Sequence, residues 1–212
     1  MEQEHLSQSA CVVVGIGTDV GKTVVSAILA EAHSATYWKP VQAGDLHLTD
    51  SMRVRQQCSG KVTVLPERFL LQTPASPHVA AEIDGMHLQE SDFKLPVGYS
   101  KLLIESAGGL MVPLNNDGLL YLDVIRGWKL PVVLVSRHYL GSINHTLLSL
   151  ELLKQQGIPV QALIFVGEEN KATESIILQR FPVPCVHRIP LTQTIDAAFV
   201  HEEAQRLPFR IF

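Results

Sequence analysis

The chain has 212 residues, of which 46% are hydrophobic and 18% charged, and its formal net charge is −4. That length buries enough surface for a single domain, taken as residues 1–212, with room for insertions. The mild acidity and the scattered Lys and Arg exclude a basic stripe for nucleic acid, and no apolar run approaches the roughly 20 residues that cross a bilayer.

Residues 1–10 are polar and acidic and lack the apolar centre of a signal peptide. Cys11, Cys58 and Cys185 are widely spaced and form no C-x-x-C pair, which suits a reducing interior. A cytoplasmic location is the expectation.

Taken in order, residues 11–14 form an apolar run that leads through glycines into a helix predicted over 23–32. Residues 35–38 make a second short strand, stopped by Pro40. A third strand is predicted at 102–105, before Gly108 and Gly109, and a fourth at 131–136. The helix predicted over 142–156 ends at Gly157 and Pro159. A fifth strand at 160–166, a helix at 172–180, a sixth strand at 185–189 and a helix at 195–206 complete the pattern. The turn-rich stretch 59–98 reads as an elaboration of the same domain.

Runs such as Val132–Val135 are continuously apolar, as strands buried on both faces require. Strand–helix alternation of this kind predicts an α/β fold, a mostly parallel sheet with helices on both faces. Ligands in such sheets sit at the carboxyl ends of the strands.

The segment Gly15-Ile16-Gly17-Thr18-Asp19-Val20-Gly21-Lys22-Thr23 follows a strand and opens a helix, the setting of a phosphate-binding loop. Its two outer glycines enclose five residues where the common form has four. Backbone N–H groups and the helix N-terminus would cradle phosphates, Lys22 would reach the terminal ones, and the Thr23 hydroxyl would ligate magnesium. These features make the predicted fold a P-loop NTPase type. Asp19 is repelled by phosphate, so it either points outward toward a positive group, such as a substrate ammonium, or is a solvated loop acid.

Glu105 ends its strand where a second acid can approach the metal, which wants oxygen ligands. Asp50 reads either as another such ligand or as a helix N-cap. Lys39, at the end of the second strand, either neutralises a transferring phosphoryl group or is plain surface charge. His138 and His145 lack metal-type pairing, and Ser106 sits in no nucleophile elbow.

The ordered set formed by residues 18–23, 39–44 (Lys-Pro-Val-Gln-Ala-Gly), 74–78 (Pro-Ala-Ser-Pro-His), 105–109 (Glu-Ser-Ala-Gly-Gly) and 140–145 (Leu-Gly-Ser-Ile-Asn-His) resembles dethiobiotin synthetase. The resemblance implies a homodimeric, ATP-dependent cyclo-ligase acting on diaminopelargonic acid and carbon dioxide or bicarbonate. It implies ATP contacts from Asp19, Val20, Gly21, Lys22, Thr23, Val24, Asp50, Glu105, Gly108, Gly167, Pro190, Leu191 and Thr192. Magnesium would be held by Thr23, Asp50 and Glu105, and catalysis carried by Lys22 and Lys39. Substrate would meet Thr18, Ala43, Gly108 and Gly109, with Leu140, Gly141 and Asn144 reaching from the neighbouring subunit; simple capping of the following helix by Ser142 is the plainer alternative for these last three.

Two departures stand out. Ala43 occupies a position where the family often has a hydroxyl, and Gly167 stands where an Asn commonly reads adenine, leaving either base recognition to backbone around Pro190, Leu191 and Thr192 or a loose selectivity for ATP over other nucleotides. The rival reading is a ParA- or MinD-like ATPase switch, but Gly17, Thr18 and Asp19 lack that class's signature lysine.

Overall fold

The computed structural model describes residues 9–212. The reading of a polar N-terminus without a leader therefore falls largely on residues outside the described ones.

Six strands form one parallel sheet, and their order places the site. They are β1 (Ser9–Gly15), β2 (Thr36–Trp38), β5 (Lys101–Gly109), β6 (Val132–Arg137), β7 (Val160–Val166) and β8 (Val186–Ile189), in spatial order β2-β5-β1-β6-β7-β8. The order reverses beside β1, so the loop leaving β1 opens at the crevice where such sheets bind ligands. A second, two-stranded parallel sheet pairs β3 (Val41–Ala43) with β4 (Phe69–Leu71).

Alternating residues explain the layers. Val12, Val14, Leu102, Ile104, Val132 and Leu134 face one core with Leu122 and Ile125 of α4 (Tyr121–Trp128), Leu150 and Leu153 of α5 (Ser142–Gln155) and Ile177 of α6 (Lys171–Arg180). Cys11, Val13, Leu103, Val133 and Val135 face the other, with Ile28 and Leu29 of α1 (Lys22–His33), Val54 of α2 (Asp50–Gln57) and Val200 of α7 (Ala197–Arg206). Each such Leu or Ile contributes roughly 1.5–3 kcal/mol by leaving water, so burial on both faces dominates helix propensity here. This is the parallel, two-sided sheet predicted, and among the described residues no helix is long and apolar enough to cross a membrane.

The third strand runs on to Gly109 instead of ending at 105, because Gly15 pairs with Gly109 after a register shift past Val13. In stretch 59–98 the chain forms β4 and α3 (Pro77–Ile83) and covers the outer side of β2. There Tyr37 N–H donates to the Thr63 carbonyl at 2.7 Å, and Leu65 N–H donates to the Tyr37 carbonyl at 2.9 Å. The exposed edge that a three-residue β2 would present is thereby paired.

Candidate active site

The loop between β1 and α1 is shaped by left-handed backbone. Gly21, the residue capping α1, has φ 93°, and no side chain caps that helix. A residue with a Cβ is disfavoured there, and the first N–H groups of α1 are left for a ligand. Asp19 also has positive φ, at 55°, and its carbonyl accepts from the Arg137 guanidinium at 3.1 Å. Lys22 folds back so that its Nζ donates to the Gly17 carbonyl at 2.7 Å. Burial, then the nearby Lys39 charge, push the Lys22 ammonium down to about 8. An arriving anion would oppose both effects.

Register builds the second half. Trp38 pairs with Ile104, so the next residues along, Lys39 and Glu105, meet on one face. Lys39 Nζ lies 2.8 Å from Asp50 Oδ2 and 3.1 Å from Glu105 Oε1. The Thr23 hydroxyl donates to Glu105 Oε1 at 2.8 Å, and the Tyr37 hydroxyl donates to Oε2, also at 2.8 Å. Glu105 is fully buried and Lys39 nearly so. Burial alone would lower the Lys39 ammonium, but Glu105 and Asp50 hold it above its ordinary value. Burial would likewise raise the Asp50 carboxyl, yet Lys39, with Thr23 and Arg53, holds it below the usual range.

Asp50 does not cap its helix. Thr49 does, accepting the Met52 N–H at 3.2 Å, while Asp50 is the first residue of α2 and turns its carboxylate to Lys39. The Gln42 side chain joins β3 to α2, accepting from Asp50 N–H at 3.2 Å and donating to the Gly44 carbonyl at 3.0 Å. Gly44 has φ 70°, and a Cβ there would stand 2.5 Å from Pro74 Cβ. Only glycine lets the loop carrying Pro74 and Ser76 close over the site.

These parts surround an open cavity of about 840 Å³. Among the residues singled out in the sequence, Thr18, Asp19, Gly21, Lys22, Thr23, Val24, Lys39, Ala43, Asp50, Glu105, Gly108, Pro190, Leu191 and Thr192 line it. Others lie elsewhere. Val20 is buried beneath the loop, and Gly109 packs against the backbone of Gly15 and Gly17. Gly167, at φ 127°, lies beside the His138 ring and donates its N–H to Ile189. Leu140, Gly141 and Asn144 are exposed at the start of α5, away from the cavity. Capping there falls to Gly141, at φ 103°, so Ser142 is not the cap.

Sequence reasoning missed Tyr37, Gln42, Arg53 and Arg137. Tyr37 had a signal, since it stands two residues before Lys39 and so on the same strand face. His138 stacks on Phe165 and bonds Glu174 at 3.0 Å, and His145 bonds the Tyr139 hydroxyl at 2.7 Å. Among the described residues no group of three or more His, Cys, Asp and Glu gathers to hold a metal. The oxygen set that could hold a cation is Thr23, Asp50 and Glu105, and the Lys39 ammonium already sits against its two acids.

A family model described as an AAA domain matches residues 9–198. Over 200 residues the chain is 50% identical to an ATP-dependent dethiobiotin synthetase BioD from Christiangramia forsetii, covering 94% of this chain and 96% of the relative. It is 42% identical to one from Brucella ovis, covering 93% of each. Among solved structures it is similar to a ParA family ATPase from Chlorobium tepidum, with TM-score 0.52, 14% identity and coverage of 95% and 100%. It is also similar to the septum site-determining protein MinD of Pyrococcus horikoshii, complexed with Mg-ADP, with TM-score 0.56, 14% identity and coverage of 94% and 95%. At that identity the likeness carries the P-loop NTPase fold alone, and the ATPase-switch alternative is set aside. On the identities to the synthetases, the chain belongs to the ATP-dependent dethiobiotin synthetase family.

Proposed function

We propose that this enzyme closes the ureido ring of dethiobiotin from diaminopelargonic acid and carbon dioxide at the expense of ATP. The observation that carries the reading is the convergence of Lys22 and Lys39 on one cavity beside Thr23, Asp50 and Glu105. A reaction between a carbamate and a triphosphate brings two anions together, and two lysines at that point offset their repulsion. One amine of the substrate takes up carbon dioxide and releases a proton, giving the carbamate. A carbamate oxygen attacks the γ-phosphorus and ADP leaves, forming a carbamic–phosphoric anhydride. The second amine then attacks the carbonyl carbon, the ring closes, and inorganic phosphate is expelled with loss of a proton.

Lys22 reaches the terminal phosphates from α1, and Lys39 stands on the carbamate side. Thr18 and Asp19 face the amine end, where the Asp19 carboxylate offsets ammonium charge. Gly108 and Ala43 shape the substrate wall, and Pro190, Leu191 and Thr192 offer backbone to the base. Hard oxygen donors fit a magnesium ion at Thr23, Asp50 and Glu105, and the ammonium resting between the two acids supports a cation position there. When bound, magnesium neutralises charge on the phosphate oxygens. The working form is a cytoplasmic homodimer of single-domain subunits, in which Leu140, Gly141 and Asn144 complete the neighbour's substrate site.

Phosphate release measured with ATP, magnesium, bicarbonate and diaminopelargonic acid, each omitted in turn, tests the reading. Turnover should collapse without the diamine; turnover indifferent to it would sink the assignment. Because Gly167 offers no side chain to a base, a nucleotide panel should also show measurable turnover with at least one other triphosphate, and strict ATP dependence would count against that.

A further inference from the structure

We propose that Tyr37 is a positioning residue: its buried hydroxyl holds the far oxygen of Glu105 and leaves Oε1 as the oxygen that serves Thr23, Lys39 and a bound cation.

The placement begins in the strand pattern. Tyr37 and Lys39 are two apart on the β2 side of the sheet, so both turn toward the face that Glu105 occupies on β5. Trp38, between them, belongs to the opposite core. Tyr37 is also fixed along its backbone, bonded to Leu103's strand on one side and to residues 63–65 on the other. Its ring is fully buried, and its hydroxyl lies 2.8 Å from Glu105 Oε2. The carboxylate oxygen can only accept, so the phenol is the donor of this bond.

A carboxylate's terminal torsion is broad and roughly two-fold, so without a tether either oxygen of Glu105 could turn toward the cavity. The two oxygens are instead divided. Oε2 takes the phenol, while Oε1 takes the Thr23 hydroxyl and the Lys39 ammonium. A phenylalanine would fill the same space, so packing does not explain the hydroxyl. Nor is Tyr37 close to substrate on the cavity wall, since it does not line the cavity. Its action is through Glu105.

The inference rests on the proposed role of Glu105 as a cation ligand, and its test uses metal binding as well as turnover. Manganese binding in the presence of ATP, followed by electron paramagnetic resonance, is compared in the wild type, Tyr37→Phe, Glu105→Gln and the double variant. Tyr37→Phe should weaken manganese binding by about 10- to 100-fold, the usual effect of losing a partner behind a metal ligand. It should lower kcat with little change in KM for the diamine. In the Glu105→Gln background the same change should cost less than about two-fold, because the partner through which it acts is gone. Unchanged manganese affinity in Tyr37→Phe, or equal losses in both backgrounds, overturns the inference. A 3-fluorotyrosine placed at position 37 alone keeps the hydroxyl and reports on it directly. Its fluorine resonance should shift when Mg–ATP is added, and should not shift with Glu105→Gln; a resonance that stays still in the wild-type background also overturns the inference. ATP turnover that ignores the diamine, with the Tyr37 effect on manganese intact, would sink the ligase reading alone.

Discussion

Lys39 is a buried cation whose ion-pair partners are Asp50 and Glu105, and its removal leaves the two acids facing each other. A Lys39→Met variant is expected to lose at least about 100-fold in turnover, the scale of losing one preorganised charge at a reacting phosphoryl group. Its stability should fall by about 3 kcal/mol, because breaking a buried pair strands the remaining charges. Added magnesium should restore part of the melting temperature, which the wild type would gain less from; a Lys39→Met protein with wild-type activity removes this lysine from the chemistry. Lys39 and Glu105 were legible as candidates because each is a charged residue at or just after a strand, where charge has few structural uses; Asp50, at the start of α2, read equally as a helix N-cap and joined them only through the family resemblance. Tyr37 carried only its two-residue spacing to Lys39 as a signal; an aromatic residue on a short strand otherwise reads as core, and its oxygen has meaning only once Glu105 is known to lie 2.8 Å away.

The long strands and helices were readable because burial on both faces writes continuous apolar runs, as in β6 and β7. The three-residue strands β3 and β4 are too short to show a period. In α2 only Ser51 and Val54 are buried, so no apolar stripe marks it. The helix α4 did carry a signal, with Tyr121, Leu122, Val124 and Ile125 spaced for one buried face. At the far end of α1 from Lys22, His33 closes the helix with its Nε2 unpartnered and its ring edge-on to Phe212. Burial, then Lys101 and Arg210, push its imidazole down to about 4. An unfolded chain takes up that proton near pH 6.5. Between those values the unfolded state holds more protons, so stability is lost as pH falls from about 6.5 toward 4. Urea midpoints across that range should decline less in His33→Gln than in the wild type, and parallel declines would assign the acid sensitivity elsewhere.

For the molecule as a whole, the exposed start of α5 is the feature that ties one subunit to the next in the proposed function. Leu140 is fully exposed, and Ile143 and Leu148 of α5 are also exposed. Light scattering on the wild type should give twice the chain mass, and Leu140→Asp should give a monomer that has lost ligase turnover while keeping its far-ultraviolet circular dichroism. A fully active monomer would separate Leu140 from the site. The cavity itself has a further consequence. Its walls carry Asp19, Asp45, Asp50 and Glu105 against Lys22, Lys39, Arg53 and Arg137, four charges of each sign. Such a vessel has no surplus positive potential with which to draw in a bare polyanion. Chelating the divalent ion with EDTA should therefore weaken nucleotide binding by at least about 10-fold in a calorimetric titration, with the dication acting as the entry ticket for the triphosphate; equal affinity with and without it would show that the amide cradle suffices.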